Sequence, residues 1–558
     1  MGTPATATFR WLTLLILLGC SRADGDPPRR PNLLFLLSDQ HRGDALGCEG
    51  HPLVRTPNLD RLAADGARFA RAYVQAPLCV PQRASLFTGR YPELHRATNN
   101  ACRLPDEELT WAEHLRARGY ATRSVGRVHG IYDGCEHVRV PGKEATLATF
   151  EGTPRPGKPN APYGPSPRSE GDHWDARIAR AAVRELGRLS EGGEPWALYV
   201  GFFSPHPPYA PPVPWDGKYA AEDVNLPDAC DPDAGQATSW QRDATRKARD
   251  LDERDQREVV AHYLGLVSYL DAQVGRVLDA LDELGLAADT LVVYTSDHGA
   301  LLFEHGLIGK NASFFEEELR VPALLRFPGR VAAGLRVDEP IEAIDLVPTM
   351  LALLGEEVPA AFVGCDLGPA LQGGPVARGR PVHASIDFTH QRARDERGLM
   401  VRTADWKYAW YTSGEGELYD LRNDPGECIN LFDDPRFASK REEHGRLLVQ
   451  HVVRLWSHAP ERRVDGGSGE ATRLWFRPPS DGGPGAALRE GTWQLEVDLD
   501  GAHRLYDLAS DPGRSTDRYG DPSLAETVRA LEVALVRRLA VGLGPPHPRG
   551  AGDRLCLD

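Results

Sequence analysis

Two aspartates follow apolar runs that lie far apart in the sequence. The run 32–37 leads to Asp39, and the run 290–295 leads in the same way to Asp297. Runs of this kind are typical of strands that are buried on both faces of a sheet. In a parallel sheet covered by helices, ligands bind beyond the carboxyl ends of the strands. We therefore expect Asp39 and Asp297 to converge and to mark a site.

The segment from Cys79 to Arg90 carries the most specific pattern in the chain. It reads Cys-Val-Pro-Gln-Arg-Ala-Ser-Leu-Phe-Thr-Gly-Arg, and Arg83 follows Cys79 on the same face of a helix. Cys-x-Pro-x-Arg combined with Thr-Gly-Arg resembles the active-site signature of the type I sulfatases. In that family the cysteine is oxidised during export. The resemblance implies that Cys79 becomes 3-oxoalanine (Cα-formylglycine) through transient contact with a formylglycine-generating enzyme.

A hydrated aldehyde at position 79 would explain how a sulfate ester is cleaved. It has two hydroxyls on one carbon, of which one attacks sulfur and expels the alcohol. Loss of the proton from the other re-forms the aldehyde and releases sulfate by C–O cleavage. A serine would stall as a stable sulfate ester. We expect Arg83 to hold the hydrate and the anion.

The resemblance also implies a divalent metal at this site. Its ligands would be Asp39, Gln40, Asp297 and His298, together with Cys79. Carboxylates and an amide suit a hard cation, and by resemblance the ion is Ca²⁺, but the imidazole keeps Mn²⁺ and Mg²⁺ as alternatives. Many relatives have Asp-Asp and Asp-Asn at these two places. Asp-Gln and Asp-His resemble the choline sulfatase and phosphonate monoester hydrolase branches.

Segment 126–129 reads Gly-Arg-Val-His where the family has Gly-Lys-x-His. By that resemblance His129 accepts a proton from the hydrate as sulfate leaves. Arg127 replaces the usual lysine that contacts the aldehyde-derived oxygen. A guanidinium keeps the positive charge but is planar and bulkier than an ammonium group.

Two later segments complete the family pattern. His206, in the Pro-rich segment 205–209, would bind sulfate and help to protonate the leaving oxygen. Lys310, one of seven lysines in the chain, would contact a sulfate oxygen and the leaving group. The charged residues that follow Lys310 are expected to form structural ion pairs: Glu316, Glu317 and Arg320. The resemblance spans about residues 31–355 and reaches the hairpin near 418–426.

The elements that must position these residues alternate between strands and helices. The pattern predicts a helix from Pro57 to Ala64, a buried strand at 197–203 and a long amphipathic helix at about 252–284. Such alternation predicts an α/β fold with a doubly wound, largely parallel sheet. The resemblance implies the alkaline-phosphatase-like fold. This is a central, mostly parallel sheet flanked by helices, with a smaller C-terminal α+β domain that contains antiparallel hairpins.

The length of 558 residues predicts two domains. We place the sulfatase catalytic domain at 31–370 and the smaller domain at 375–558. A two-copy repeat lies in the second: Trp406 precedes Leu-Tyr-Asp-Leu at 418–421, and Trp493 precedes the same letters at 505–508. Each copy predicts an antiparallel hairpin with a structural role.

Residues 1–20 resemble an export signal. The apolar run 11–18 follows Arg10 and is too short to span a bilayer. Leu-Leu-Gly-Cys at 17–20 resembles a bacterial lipoprotein box, and a plain cleaved signal peptide is the alternative. We expect a protein of the periplasm or cell envelope, held to the membrane only by a lipid on Cys20, or a secreted protein.

Composition restricts the remaining functions. A net charge of −15 argues against nucleic-acid binding, which needs a basic surface. None of the nine cysteines forms a Cys-x-x-Cys pair, which argues against structural zinc; one or two disulfides fit an exported protein, with no pairing assigned.

The expected substrate is a sulfated small molecule or saccharide. Two alternatives stay open: a phosphonate or phosphate diester hydrolase that uses the same aldehyde, and a non-catalytic binding protein descended from a sulfatase. The nearly complete set of polar residues argues against the second. The natural substrate is not readable from one sequence because the loops that line the pocket determine it.

Overall fold

The computed structural model describes most of the chain between residues 30 and 542. The described ranges are 30–129, 134–140, 163–227, 230, 237–244, 251–374, 379–389, 396–458, 472–476, 486–490, 492–498, 502–512 and 514–542. The predicted export segment 1–20 lies outside these ranges. No helix in the described ranges is long and apolar enough to cross a membrane.

The centre of the fold is an eight-stranded sheet. Its strands in chain order are β1 (Asn32–Asp39), β2 (Ala67–Phe69), β3 (Ala121–Gly126), β4 (Glu136–Val138), β5 (Trp196–Pro205), β6 (Thr290–Ser296), β7 (Ala323–Arg326) and β8 (Leu335–Val337). They lie in the order β8-β2-β7-β6-β1-β5-β3-β4. Strands β6, β1, β5, β3 and β4 are parallel, whereas β7 is antiparallel to both neighbours. The prediction of a mostly parallel sheet is confirmed.

Helices cover both faces of this sheet, and the last two helices of the described chain pack on the antiparallel sheets that follow it. In chain order they are α1 (Pro57–Ala64), α2 (Cys79–Thr88), α3 (Pro92–His95), α4 (Trp111–Ala117), α5 (Trp174–Glu191), α6 (Ser239–Ala244), α7 (Glu253–Glu283), α8 (Glu316–Leu319), α9 (Leu346–Leu354), α10 (Gly368–Leu371), α11 (Ala438–Ser457) and α12 (Ala525–Gly542). Both helices predicted from the sequence are present. The long one begins at Glu253 because the Asp252 side chain accepts a hydrogen bond from the Asp255 amide and caps it.

Strand β1 shows why its apolar run is continuous. Phe35 stacks on Trp111 of α4 on one face, with 5.9 Å between ring centroids. Leu36 packs on the other face in a cluster with Ile178 of α5 and Val274 of α7. Both faces of the strand are therefore buried, so alternate polar residues would have no access to solvent.

Two four-stranded antiparallel sheets follow the main sheet. Their strands are β9 (Val382–Asp387), β10 (Arg397–Arg402), β11 (Trp406–Tyr411), β12 (Gly416–Asp420), then β13 (Thr472–Phe476), β14 (Ala486–Glu490), β15 (Trp493–Val497) and β16 (His503–Asp507). The two predicted hairpins are present in equivalent register, with Trp406 opposite Asp420 and Trp493 opposite Asp507. The domain boundary at 370–375 remains a prediction.

Shorter pairings and one disulfide complete the framework. The two-residue strand at Ala72–Tyr73 pairs with Arg320–Val321 and with Ile341–Glu342, and Leu301–Leu302 pairs with Ile308–Gly309. Cys230 and Cys428 form a disulfide across 198 positions, a pairing that the sequence left open.

Two glycines allow β3 and β5 to approach closely beside the carboxyl edge of the sheet. Gly126 pairs with Gly201. A Cβ on Gly201 would lie 2.1 Å from the carbonyl oxygen of Arg127, and a Cβ on Gly126 would lie 2.2 Å from the carbonyl oxygen of Gly201. Gly126 also has a φ of 88°, which favours glycine.

We therefore expect Gly201→Ala to lower the free energy of unfolding by about 1–3 kcal/mol, because the added methyl forces two hydrogen-bonded strands apart. The thermal unfolding midpoint measures this effect. Gly187→Ala on α5, where a Cβ would meet nothing within 4 Å, is the control and should leave the midpoint unchanged or raise it. Equal midpoints for Gly201→Ala and the wild type would contradict the proposed close approach.

Candidate active site

Cys79 is the first residue of α2 and is fully buried. The preceding residue, Leu78, has an extended backbone and provides no side-chain cap for the helix. The loop before it is held by Gln82, whose side-chain oxygen accepts hydrogen bonds from the amides of Gln75 (2.8 Å) and Ala76 (3.2 Å). The positive end of the helix dipole therefore faces the thiol and favours a negative charge there.

Adjacent parallel strands bring the two aspartates together. Ser38 of β1 is in register with Ser296 of β6, so Asp39 and Asp297 leave the sheet side by side. Four buried residues, Asp39, Cys79, Asp297 and His298, offer ligand atoms that all lie within 4.8 Å of one another. The convergence expected from the sequence is present.

Gln40 and His298 are oriented as ligands for a cation. The Gln40 amide nitrogen Nε2 donates to the hydroxyl of Tyr209 at 3.3 Å, while its buried Oε1 accepts no hydrogen bond in the described structure. A buried acceptor without a partner is costly unless something absent from the polypeptide satisfies it. Nδ1 of His298 donates to the carbonyl oxygen of Gly299 at 2.9 Å, so in the neutral ring Nε2 is the nitrogen that can coordinate a cation. With the two carboxylates, this donor set fits a divalent cation.

The charges of the site also favour a bound cation. Burial and the neighbouring Asp39 raise the pKa of Asp297 to about 6. Burial opposes protonation of His298, but Asp297 and Cys79 outweigh it and raise the pKa of His298 to about 9. Two carboxylates this close repel each other, which is why the pKa of Asp297 is raised. A divalent cation bound between them would relieve the same repulsion.

Lys310 contacts the thiol directly, with Nζ 2.8 Å from Sγ of Cys79, and Nε2 of His298 lies 3.3 Å from the same sulfur. Burial and Asp39 raise the pKa of the Cys79 thiol, but Lys310 and His298 lower it further, so the net pKa lies well below its usual value. The position is built to stabilise an anion.

Arg83 lies between the two aspartates. Its Nε donates to Asp297 at 3.0 Å, and its Nη2 donates to Asp39 at 2.9 Å. Its Nη1 donates to the carbonyl oxygen of Arg127 and to the hydroxyl of Tyr199. The guanidinium thus orients the carboxylates. Its expected contact with the hydrate and the anion remains a prediction.

Arg127, His129 and His206 lie beside β5. Arg127 Nε lies 3.0 Å from Asp39 as an ion pair without hydrogen-bond alignment, and its guanidinium stacks 4.7 Å from the ring centre of Phe203. Nη2 of Arg127 lies 3.0 Å from Nδ1 of His129. The ring of His206 packs on that of Phe203 at a tilt of 57°, with its Nδ1 2.6 Å from the carbonyl oxygen of Pro207.

Sequence reasoning missed the aromatic residues that hold these groups. Tyr199 binds Arg83, Tyr209 binds Gln40, and Phe203 stacks on Arg127. Tyr199 and Phe203 belong to the run that was predicted as a buried strand. Their hydroxyl or ring contacts depend on neighbouring strands, so the run itself did not distinguish them from ordinary core residues.

The expected ion pairs after Lys310 are partly wrong. Glu316 pairs with Arg402 at 3.1 Å and with Lys407 at 2.9 Å, both from the first antiparallel sheet. Neither Glu317 nor Arg320 forms an ion pair within the described ranges. Burial and the nearby Glu304 raise the pKa of Glu317 to about 8. The partners of Glu316 come from sequence-distant strands, which the local motif does not reveal.

Comparisons with known proteins agree with this geometry. The Sulfatase family model matches residues 31–356, and a model described as N-sulphoglucosamine sulphohydrolase, C-terminal, matches 303–452. The choline-sulfatase of Rhizobium meliloti (strain 1021) is 32% identical over 438 residues, covering 73% of this chain and 83% of that protein. The multifunctional alkaline phosphatase superfamily protein PehA of Trinickia caryophylli is 30% identical over 506 residues, covering 77% and 97%.

The solved structures support the predicted fold. Phosphonate monoester hydrolase from Silicibacter pomeroyi has a TM-score of 0.70 at 25% identity, covering 77% of this chain and 97% of that one. The alkaline-phosphatase-like fold is therefore confirmed. Since the Sulfatase model begins at the strand that carries Asp39 and extends over more than half of the chain, this protein belongs to the sulfatase family of sulfate ester hydrolases.

Proposed function

We propose that this chain hydrolyses sulfate monoesters at Cys79 after its conversion to formylglycine, with a divalent cation held by Asp39, Gln40, Asp297 and His298. The observation that carries the proposal is the surroundings of Cys79. Its sulfur lies 2.8 Å from Lys310 within a buried donor set whose atoms are all within 4.8 Å of one another. The proposed nucleophile, the proposed cation ligands and an ammonium group thus lie together in one buried cluster.

Formylglycine and the cation, when present, supply an activated hydroxyl and stabilise negative charge that develops in the transition state. The chain's own residues position and balance that charge. Lys310 presents its ammonium group to an oxygen of the anion or of the leaving group. Arg83 keeps Asp39 and Asp297 in place through its hydrogen bonds.

The proposed substrate class is a sulfated small molecule or saccharide. The relatives include a choline-sulfatase and an N-acetylglucosamine-6-O-sulfatase of Bacteroides thetaiotaomicron. By the same reasoning we propose Ca²⁺ as the cation, with Mn²⁺ or Mg²⁺ as alternatives because His298 contributes nitrogen.

A second candidate is hydrolysis of phosphonate monoesters or phosphate diesters. Gln40 and His298 favour it, because Asp-Gln and Asp-His resemble the choices of the phosphonate monoester hydrolase branch, and a hydrolase of that class is among the structural neighbours. Both anions are tetrahedral, and the same cationic cavity suits either one.

We further propose that the protein is exported, by a signal at 1–20, to the periplasm or cell envelope or into the medium. A lipid on Cys20 would be its membrane anchor, and a formylglycine-generating enzyme its transient partner. The disulfide between Cys230 and Cys428 supports export, since disulfides persist in oxidising compartments.

Turnover of an aryl sulfate and of an aryl phosphodiester separates the two chemistries. We expect kcat/KM on the matured protein to be at least about tenfold higher for the sulfate, a difference of about 1.4 kcal/mol in transition-state binding. The reverse order would transfer the proposal to the second candidate. A panel of choline sulfate, sulfated sugars and aryl sulfates then defines the natural substrate class.

Cys79→Ala should abolish turnover and leave the thermal unfolding midpoint close to that of the wild type. Mass spectrometry of the peptide Ala72–Arg83 should show the aldehyde in place of the thiol in the wild type expressed in its native host. Cys102→Ala, which removes another buried thiol, is the matched control and should retain activity. Substantial turnover by Cys79→Ala would refute the nucleophile assignment.

Removal of the cation by a chelator should reduce turnover by about 100-fold or more, since metal-assisted charge stabilisation amounts to several kcal/mol. Ca²⁺, Mn²⁺ and Mg²⁺ are then added back separately. The effective ion should also raise the thermal unfolding midpoint, because it binds only the folded state. Gln40→Ala should need a higher concentration of that ion for half-maximal activity, and full activity in the stripped protein would contradict the metal site.

A further inference from the structure

Arg127 and His129 make a contact whose chemistry allows one arrangement of protons. Nη2 of Arg127 lies 3.0 Å from Nδ1 of His129. A guanidinium is always protonated and has only donors, so the imidazole nitrogen that faces it must accept. Nδ1 of His129 therefore carries a lone pair, and the proton of the neutral ring lies on Nε2.

Several interactions keep Arg127 in this position. Its side chain stacks on Phe203 at 4.7 Å and lies 3.0 Å from Asp39. Its backbone carbonyl accepts hydrogen bonds from Arg83 at 2.9 Å and from Tyr199 at 2.9 Å. The backbone is thus fixed, and the guanidinium cannot turn away to release Nδ1 without losing its contacts with Phe203 and Asp39.

The backbone of His129 has an uncommon conformation. Its φ is 51°, a left-handed conformation that is uncommon outside glycine and is often found at functional sites. Burial and the charge of Arg127 lower the pKa of His129 to about 2, which keeps the ring neutral over the physiological range. Nε2 of His129 meets no partner in the part of the chain that the structure describes, so its proton is available to a ligand.

His206 has the opposite arrangement. Its Nδ1 lies 2.6 Å from the carbonyl oxygen of Pro207, and a carbonyl can only accept, so Nδ1 is the protonated nitrogen. The lone pair of His206 is therefore on Nε2. Burial lowers the pKa of both rings, to about 2 for His129 and about 3 for His206, so basicity does not distinguish them. The position of the lone pair does, because only His206 has it on Nε2.

Resting on the proposed sulfate ester hydrolysis, we propose that Arg127 fixes His129 as a neutral Nε2–H donor to the sulfate group, and that His206 alone accepts a proton. His206 takes at Nε2 the proton given up by the attacking hydroxyl and returns it to the leaving oxygen of the alcohol. It then takes at Nε2 the proton of the second hydroxyl as the aldehyde re-forms and sulfate leaves. No proton passes through His129. The resemblance had assigned His129 as a proton acceptor, and the arginine in place of lysine explains the change.

Glutamine substitutions separate the two roles, because an amide can donate a hydrogen bond but cannot accept a proton. We expect His129→Gln to keep kcat within about tenfold of the wild type, whereas His129→Ala should lose about 100-fold or more, as for removal of an oxyanion donor. At His206, Gln and Ala should be equally impaired, each by about 100-fold or more. Equal losses for His129→Gln and His129→Ala, with loss of the acid limb of the pH–rate profile, would overturn the proposal.

The tautomer of His129 can be determined by NMR, without an activity assay. In protein labelled with ¹⁵N-histidine, the ring whose signal His129→Gln removes should show an unprotonated Nδ1 and a protonated Nε2 from about pH 6 to about pH 8 in long-range ¹H–¹⁵N spectra. Arg127→Met should convert it to a mixture of tautomers. An imidazolium or an Nδ1–H tautomer at His129 would overturn the proposal even if the variants fail to fold.

The two readouts also distinguish failure of this inference from failure of the proposed function. A wild-type protein that cleaves no sulfate ester but shows the expected His129 tautomer would refute the function and leave the arrangement of protons intact. If the wild type cleaves sulfate esters but His129→Gln loses as much activity as His129→Ala, the arrangement of protons is refuted and the proposed function stands.

Discussion

A fully buried arginine between two fully buried aspartates is the interaction on which the site depends. Arg83, Asp39 and Asp297 have no exposed side-chain surface, and the two ion pairs measure 2.9 Å and 3.0 Å. Buried charges are stable only when they are paired and hydrogen-bonded. One guanidinium cannot balance two carboxylates and a thiolate, so the cluster also depends on positive charge from Lys310, Arg127 and His298. A divalent cation at the proposed site would add to that balance.

The rest of the catalytic body serves to hold that group of charges. Parallel pairing of β1 with β6 brings Asp39 next to Asp297, and α2 places Cys79 and Arg83 one turn apart above them. Tyr199 from β5 fixes Arg83 from the far side through its hydroxyl. The first antiparallel sheet contributes as well, because Lys407 bridges Glu316 and Glu427 behind the segment that carries Lys310. The C-terminal sheet is thus part of the support of the site.

Arginine at position 127 shows how one substitution changes neighbouring chemistry without changing charge. A lysine ammonium at this position would be a compact point charge, whereas the guanidinium reaches Asp39, Phe203 and His129 together. Because it donates to Nδ1 of His129, it decides which nitrogen of that ring carries the proton. Arginine instead of lysine at position 127 therefore affects which nitrogen of His129 can donate a hydrogen bond to the proposed substrate.

The sequence alone was sufficient for the fold class, for the strands that carry Asp39 and Asp297, and for the convergence of these two aspartates. It was sufficient because apolar runs, helix caps and the motif at Cys79 are local signals, and because Asp39 and Asp297 each end a strand whose burial can be read from composition. Only the tertiary structure decided the partners of Arg83, the pairing of Cys230 with Cys428, and the support of Glu316 by Arg402 and Lys407. Those contacts join residues that are far apart in the chain, and hydrogen-bond direction depends on distances and angles that a one-dimensional pattern does not contain.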